Sequence, residues 1–401
     1  MIRRVLASDR WFVNLLVAAA LLQSATAVAR PMASYRALDI GMPPETLGLV
    51  ATSFAIAPVI LALWIGRRID RDGPFRFLAI AAAMQAASAV ALTFARDAVV
   101  LLLFVGLLGL SQLVFVVANQ TLVGSRSVLA SYDQRFSSLS FVASLGQLIG
   151  PLSAGLIAGS SQPADGSLST GASGTGLALV FGATLSIIAL PVIALLWRRD
   201  PGQAAVPEDA PTGTRSVAEI LRMPGMLPAM LASLTVLATM DILVVYLPAL
   251  GEERGLPIAV VGALLSVRAG ASMASRLGIA SMIRRIGRPR LMVGSLLIAS
   301  VAIVALAVVP LPLMFVAMAV IGATLGVMQP MTMSWVAARA TADARGMAMS
   351  VRLVGNRAGQ VVIPLLAGTV AAVTGAAGVI AATGLTVALT AAVVASRRPR
   401  D

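Results

Sequence analysis

The sequence predicts an all-α integral membrane protein of twelve spanning helices arranged as two pseudo-symmetric six-helix halves. Three observations predict it. Of 401 residues, 58% are hydrophobic and only 12% charged, whereas charged residues make up about a quarter of a soluble domain. Apolar runs of about 20 residues, long enough to cross about 30 Å of hydrocarbon, recur between short connections rich in arginine, glycine or proline. Finally, "GQLIGPLSAG" at Gly146 is echoed 213 residues later by "GQVVIPLLAG" at Gly359, as a duplicated unit requires. Helices rather than open sheets are expected, because a strand edge facing lipid would leave backbone groups unpaired.

The first run, in "MIRRVLASDRWFVNLLVAAALLQSATAVARP", follows a basic flank like that of a secretory signal. It outlasts the core of about 7 to 15 residues that such a signal has, and reads as a retained first span. Spans near 11–34, 46–65, 77–95, 98–123, 136–159 and 177–197 complete the first half, residues 1–197. Residues 198–225 read as a cytoplasmic linker, flexible except where "SVAEILR" forms a short surface helix. Spans near 226–249, 258–279, 291–309, 313–337, 347–373 and 376–395 form the second half, residues 226–401. Gly109 matches Gly322 at the same 213-residue offset, and Gly48 and Gly73 match Gly262 and Gly287 at 214. Two repeats with a site at their midplane are a secondary-transporter plan.

All 30 basic residues are arginine, and the net charge of +13 falls mainly at the ends of spans. That distribution argues for a bilayer partner and against nucleic acid. Twenty-two arginines, among them Arg67, Arg68, Arg71, Arg76, Arg284, Arg285 and Arg288, lie on one side, against Arg36, Arg96 and Arg254 opposite. Both termini are therefore expected in the cytoplasm, in a bacterial-type inner (plasma) membrane. The chain has no Cys and no His, which excludes disulfides, Cys or His metal ligands, and Ser-His or Cys-His catalysis. Without lysine no phosphate-binding loop of the nucleotide-hydrolysing type can be built. No cofactor, no metal and no enzymatic activity are expected, and the chain is expected to act as a monomer.

Between the second and third spans lies "GRRIDRDGPFR", Gly66 to Arg76. With twelve spans and a duplication, it resembles the signature loop of the major facilitator superfamily. The resemblance implies a cytoplasmic gate at Gly66, Asp70, Arg71 and Gly73. Asp70 would cap a neighbouring helix and pair with arginine, Gly66 would admit a close helix approach, and Gly73 would make a turn with positive φ. The counterpart "ASMIRRIGRPR" keeps Gly287 but has Arg284 where the acid would stand, so gating at this loop is expected to be asymmetric. Gly146, Gly150, Pro151 and Gly155 resemble the fifth-span motif of the superfamily's drug:proton antiporter-like exporters, with Ala154 in place of one glycine. Small residues let helices approach, and Pro151 removes one helical hydrogen bond and is expected to kink the helix.

Arg30, Arg268, Arg276, Arg352 and Arg357 fall inside the predicted spans. A charge facing lipid at mid-bilayer costs about 2.5 to 3.5 kcal/mol on insertion scales, so each must face protein or water. Arg268 and Arg357 lie about ten residues into their spans, roughly 15 Å deep, and make a fork for an anionic substrate group. Basic residues on these two spans also resemble the oxalate/formate exchanger branch. Arg276 and Arg352, nearer the span ends, are expected to snorkel. A static network through Asn356, Gln360 and Gln147 is the alternative to substrate contact. Gln23, Asn119 and Gln147, with Gln120, would line the other wall of the cavity. Asp241, in "LTVLATMDILVVYLPAL", is the one acid clearly within a span and hence the expected proton carrier. Arg30, near its repeat-equivalent height, is expected to pair with it as an outer gate.

The expected function is a secondary active transporter working by alternating access, exporting a small organic, anionic compound in exchange for protons. Uptake or exchange of small organic anions stays open, and so does a receptor or scaffold that has lost transport. The fourth span lacks the arginine, and the first the acid, of many proton-coupled drug exporters, which counts against a drug substrate.

Overall fold

The computed structural model describes residues 10–126, 129–160, 172–198, 217–223, 225–339 and 345–396. Arg3 and Arg4, most of the linker, and the basic C-terminal residues lie outside them. Among the described residues all regular structure is helical. Spans one to six are Arg10–Asp39, Leu47–Asp72, Pro74–Thr93, Ala98–Arg126, Leu129–Gly159 and Ala172–Arg198. The short helix expected of the linker is Val217–Arg222, and spans seven, eight and nine are Met226–Glu253, Ile258–Leu277 and Arg288–Leu306.

Three features depart from an unbroken bundle. The eighth span stops at Gly278 and a short amphipathic helix, Ile279–Ile286, carries Arg284 and Arg285 onward. The tenth span is two pieces, Leu311–Gly326 and Met328–Arg339. Residues Arg345–Ser396 form 52 residues of continuous helix except at Gly375, whose φ of 66° and ψ of −169° are not helical. An uninterrupted helix of that length would reach roughly 78 Å, more than twice the hydrocarbon thickness. Gly375 therefore divides it into spans eleven and twelve, where the sequence places the boundary.

The chain forms two compact units. One comprises Met1–Met42, Ser53–Val206 and Pro257–Ser266; the other comprises Pro43–Thr52, Pro207–Leu256 and Val267–Asp401. In the first, span one packs against spans five and six, and span three against four and six. In the second, span seven packs against the eleventh and twelfth and is buried over 72% of its most apolar stretch.

The repeat extends to atomic packing. A methyl group on Gly262 would strike the Pro151 carbonyl, and one on Gly48 the Pro364 carbonyl. One on Gly109 would strike the Phe54 carbonyl, and one on Gly322 the Arg268 carbonyl. Each member of a pair stands 213 or 214 residues from its counterpart. These glycines lie where backbones touch, a recurring way to pack membrane helices without hydrophobic drive. Both prolines stay inside continuous helix.

The helix ends repeat too. Asp39 accepts the Thr175 hydroxyl at 2.9 Å near the start of span six, and Glu253 accepts the Ala376 amide at 2.7 Å at the start of span twelve. Arg36 donates to the Ala95 carbonyl just past span three, and Arg254 to the Ala307 and Val309 carbonyls just past span nine. Acids at helix N-termini and cations at C-termini satisfy the orphan backbone groups and the helix dipole.

Candidate functional site

Midway along the seventh span, Asp241 is 7% exposed. It lies roughly 22 Å from the helix start at Met226 and 18 Å from its end at Glu253. Gln360, buried on span eleven, donates its Nε2 to Asp241 Oδ2 at 2.6 Å. Arg357, one turn earlier and half-buried, donates its Nη1 to Gln360 Oε1 at 3.1 Å. A guanidinium can only donate and a carboxylate can only accept, so a single amide orientation serves both. Residues three and four apart on a helix share a face, which places Arg357 and Asn356 within a turn of Gln360. Asn356 is buried, and its Oδ1 meets no partner among the described residues. The sequence marks each of these residues but not the direct bond between amide and acid. No spacing within one span reports a partner 119 residues away.

Arg268 adds a second cation to the same stretch. It is 7% exposed, and its Nη1 donates to the sulfur of Met240, the neighbour of Asp241. Its backbone is held by the close approach of Gly322. A cavity of about 160 Å³ opens between spans seven, eleven and twelve, lined by Thr235, Thr239, Ala367 and Thr383 among others. None of Asp241, Arg268, Asn356, Arg357 and Gln360 lines it.

Arg276 and Arg352 both reach acceptors on the tenth span. Arg276 donates its Nε to the Gly326 carbonyl at 3.1 Å. Arg352 is 8% exposed and donates its Nη2 to Gln329 Oε1 at 3.0 Å and Thr332 Oγ1 at 3.4 Å. The break in the tenth span, which hydropathy does not reveal, supplies the acceptor for Arg276, since a helix end frees carbonyls for basic side chains; Arg352 uses side-chain oxygens of the piece that follows.

In the first unit, the Arg30 guanidinium lies over the Phe54 ring, 4.3 Å from its centre. Gln23 accepts Gln112 Nε2 at 2.7 Å; Thr26 donates to Gln112 Oε1 at 2.9 Å; Gln85 donates to Thr26 at 3.0 Å and to the Leu22 carbonyl at 2.8 Å. The expectation that Gln23 lines a cavity wall thus meets an amide network joining spans one, three and four. Thr26, Gln85 and Gln112 were missed, although two amides inside apolar runs are themselves a signal. Asn119 is buried and Gln147 exposed.

The segment Gly66–Arg76 is not a loop: the second span stays helical through Asp72. Gly73 alone makes the turn, with φ 86° and ψ 144°, and Pro74 opens the third span. Gly287 repeats the geometry, with φ 81° and ψ 147°, ahead of Pro289. A methyl on Gly66 would meet nothing among the described residues, so the expected close approach is not made there. Asp70 is exposed. Arg71 and Arg68 turn instead to Asp72, at 2.9 and 3.3 Å. The Arg71 hydrogen bond holds the Asp72 carboxyl below the ordinary carboxylate range, with lesser help from Arg68. On span five, Gly146 and Gly150 face Ser24 and Ala27 of span one, and a methyl on Gly155 would come within 3.0 to 3.2 Å of Ala259 and Gly262.

No curated protein sequence matches this chain. Among solved structures, it is similar to a bacterial homologue of the human lysosomal transporter Spinster, inward-facing and occupied. The TM-score is 0.76 at 14% identity, over 98% of this chain and 97% of that one. The unoccupied form gives 0.69 at 15% identity, over 98% and 96%. The nucleoside transporter NupG gives 0.75 at 14% identity, over 96% and 98%. At such identities the likeness concerns the fold. The sequence model described as Major Facilitator Superfamily matches residues 15–287 and again 229–401, and the chain, a multi-pass membrane protein, belongs to the major facilitator superfamily of transporters.

Proposed function

We propose that the protein moves a small organic anion by alternating access, linked to protons, with residues 1–197 and 226–401 as the rocking halves and 198–225 as the cytoplasmic linker. The observation that carries this reading is the buried sequence of acid, amide and guanidinium, Asp241–Gln360–Arg357, with Arg268 beside it. An intramembrane cation that is not needed for packing is kept for a ligand or an ion pathway. Arg268, Arg357 and Asn356 on one half, and Gln147, Asn119 and Gln23 on the other, contact the substrate. Gln360 orients Arg357, Asp241 carries the proton, and Arg30 meets Asp241 when the outer side closes. Gly66, Asp70, Arg71 and Gly73 belong to the cytoplasmic gate.

Export is the direction favoured by the fifth-span motif, whose Gly146 and Gly150 lie close against span one. The protein then acts as a proton-exchanging exporter, a monomer in a bacterial-type inner membrane with both termini in the cytoplasm. The acid and Arg357 sharing one amide favours a second reading, uptake or exchange of organic anions. Neutralising the acid leaves the guanidinium's charge uncompensated for an anion, so proton and anion would travel together.

The test is flux into and out of proteoliposomes, using a panel of carboxylates and cationic dyes, with and without a pH gradient. Carboxylate flux that collapses in Arg268→Ala and Arg357→Ala is expected. Dye export insensitive to both substitutions would remove the anion reading. The sign of the pH-gradient effect separates exchange from co-transport.

A further inference from the structure

Arg352 brings a permanent charge to a buried position where, among the described residues, no acid meets it. It lies seven residues, roughly 10 Å, from the start of its helix at Arg345. Its side-chain partners, Gln329 Oε1 and Thr332 Oγ1, are both neutral. Thr332 spends its own proton on the Gln329 backbone carbonyl at 3.0 Å. Among the described residues no acid pairs with Arg352. The Nε of Arg352 and the Nε2 of Gln329 are enclosed, and neither has a hydrogen-bond partner there. Arg276 places a further cation at Gly326, one turn before Gln329.

A desolvated guanidinium needs compensating charge, and a buried N–H left empty in a native structure requires an explanation. Among the described residues the shortage at Arg352 is of acceptors: two empty donors and no acid paired with its guanidinium. The chemistry that fills such a gap is an oxyanion, which accepts several N–H groups at once and carries the missing charge. The flanking side chains narrow its setting. Met333, Leu353 and Val354, on the same two helices, are 52%, 54% and 62% exposed, so these helices also carry apolar surface suited to lipid chains. Arg357 is five residues further on, about 140° around the helix, so the two arginines serve different faces.

We infer that Arg352 and Gln329, with Arg276 one turn away, form a binding site for a phosphate-type oxyanion, taken either as the free ion or as the headgroup of an anionic phospholipid. The site is separate from the midplane arginines and does not depend on what they bind.

The experiment uses the full chain in two arms. In detergent, inorganic phosphate is titrated and binding is followed by calorimetry and thermal shift. In nanodiscs of phosphatidylcholine with or without phosphatidylglycerol, retained lipid is counted by native mass spectrometry after detergent release. One saturable phosphate, or one retained phosphatidylglycerol, is expected. Arg352→Gln weakens it at least tenfold, Gln329→Leu, which keeps the charge, about threefold, and Arg96→Gln, at an exposed arginine of no assigned site, leaves it unchanged. A response to phosphate assigns the free ion; a response to phosphatidylglycerol alone assigns the headgroup. Binding in neither arm, or equal binding by wild type, Arg352→Gln and Gln329→Leu, overturns the site.

Discussion

Gln360 reaches across from the eleventh span to hold Asp241 on the seventh at 2.6 Å, and the other end of the same amide takes Arg357 at 3.1 Å. Methionine at position 360 keeps the volume and removes both ends of the bridge. A hydrogen bond to a charged group contributes about 1.5 to 3 kcal/mol, and Asp241 loses the one that Gln360 donates. Gln360→Met is therefore expected to lower stability by about 2 kcal/mol and to reduce carboxylate flux at least tenfold. Gln360→Glu places a second carboxylate against Asp241, and two such groups cannot readily stay ionised together; its flux should peak at a different pH. Thermal unfolding and proteoliposome flux on the same preparations check both. Wild-type flux in Gln360→Met would place the bridge outside the transport cycle.

Close approaches in the repeat predict a sharp contrast among glycines. Gly262→Ala and Gly48→Ala drive a methyl group into the Pro151 and Pro364 carbonyls, and helical backbone cannot yield as a side chain can. Overpacking of this kind costs typically about 1 to 3 kcal/mol. Gly66→Ala meets open space inside a helix and gains about 0.5 to 1 kcal/mol from helix propensity. Unfolding midpoints in detergent should thus fall for the first two and hold or rise for the third. A loss at Gly66 equal to that at Gly262 would contradict the packing described.

Most of this architecture is legible in the sequence, because bilayer thickness fixes span length and an unpaired backbone cannot face lipid. The twelve spans and the boundary at Gly375 are of that kind. The break after Gly326 is not, since hydropathy runs straight across it, and the carbonyl that holds Arg276 stays hidden with it. Asp70 shows a different limit. A motif names a residue type at a position, but which acid the arginines select depends on where the helix ends, and here it continues to Asp72. The amides Gln85 and Gln112 were readable as intramembrane polar groups; their partners, on other spans, were not.

Glu253 fixes the corner between the last two spans. Its Oε1 accepts the Ala376 amide at 2.7 Å, immediately after Gly375 takes φ 66°. Glu253→Gln keeps an acceptor but loses the charge, and is expected to cost about 0.5 to 1 kcal/mol through the bond and the helix dipole. Gly375→Ala should cost more. It forces a side chain into a positive-φ conformation and puts a methyl 2.8 Å from Glu253 Oε1. Hydrogen exchange at residues 374–378 should rise in both variants, further in the alanine. Unchanged protection there would mean that the corner is held by the flanking spans alone.

The exposed cluster of Arg68, Arg71 and Asp72 predicts the sign of a pH effect. Its two arginines hold the Asp72 carboxyl below the ordinary carboxylate range in the folded protein. A group depressed on folding contributes stability above its unfolded pKa, and that contribution is lost as pH falls through the folded value. At neutral pH the contribution is present, and only below the usual carboxylate range does it disappear. Asp72→Asn should therefore be less stable than wild type at pH 7 and converge with it in acid. The difference is small, because the carboxyl lies at the surface, and added salt should shrink it further. Unfolding midpoints from neutral to acid pH, at low and high salt, give the comparison. A gap that widens in acid would mean that Asp72 is destabilised by folding, the reverse of what the two guanidiniums at 2.9 and 3.3 Å require.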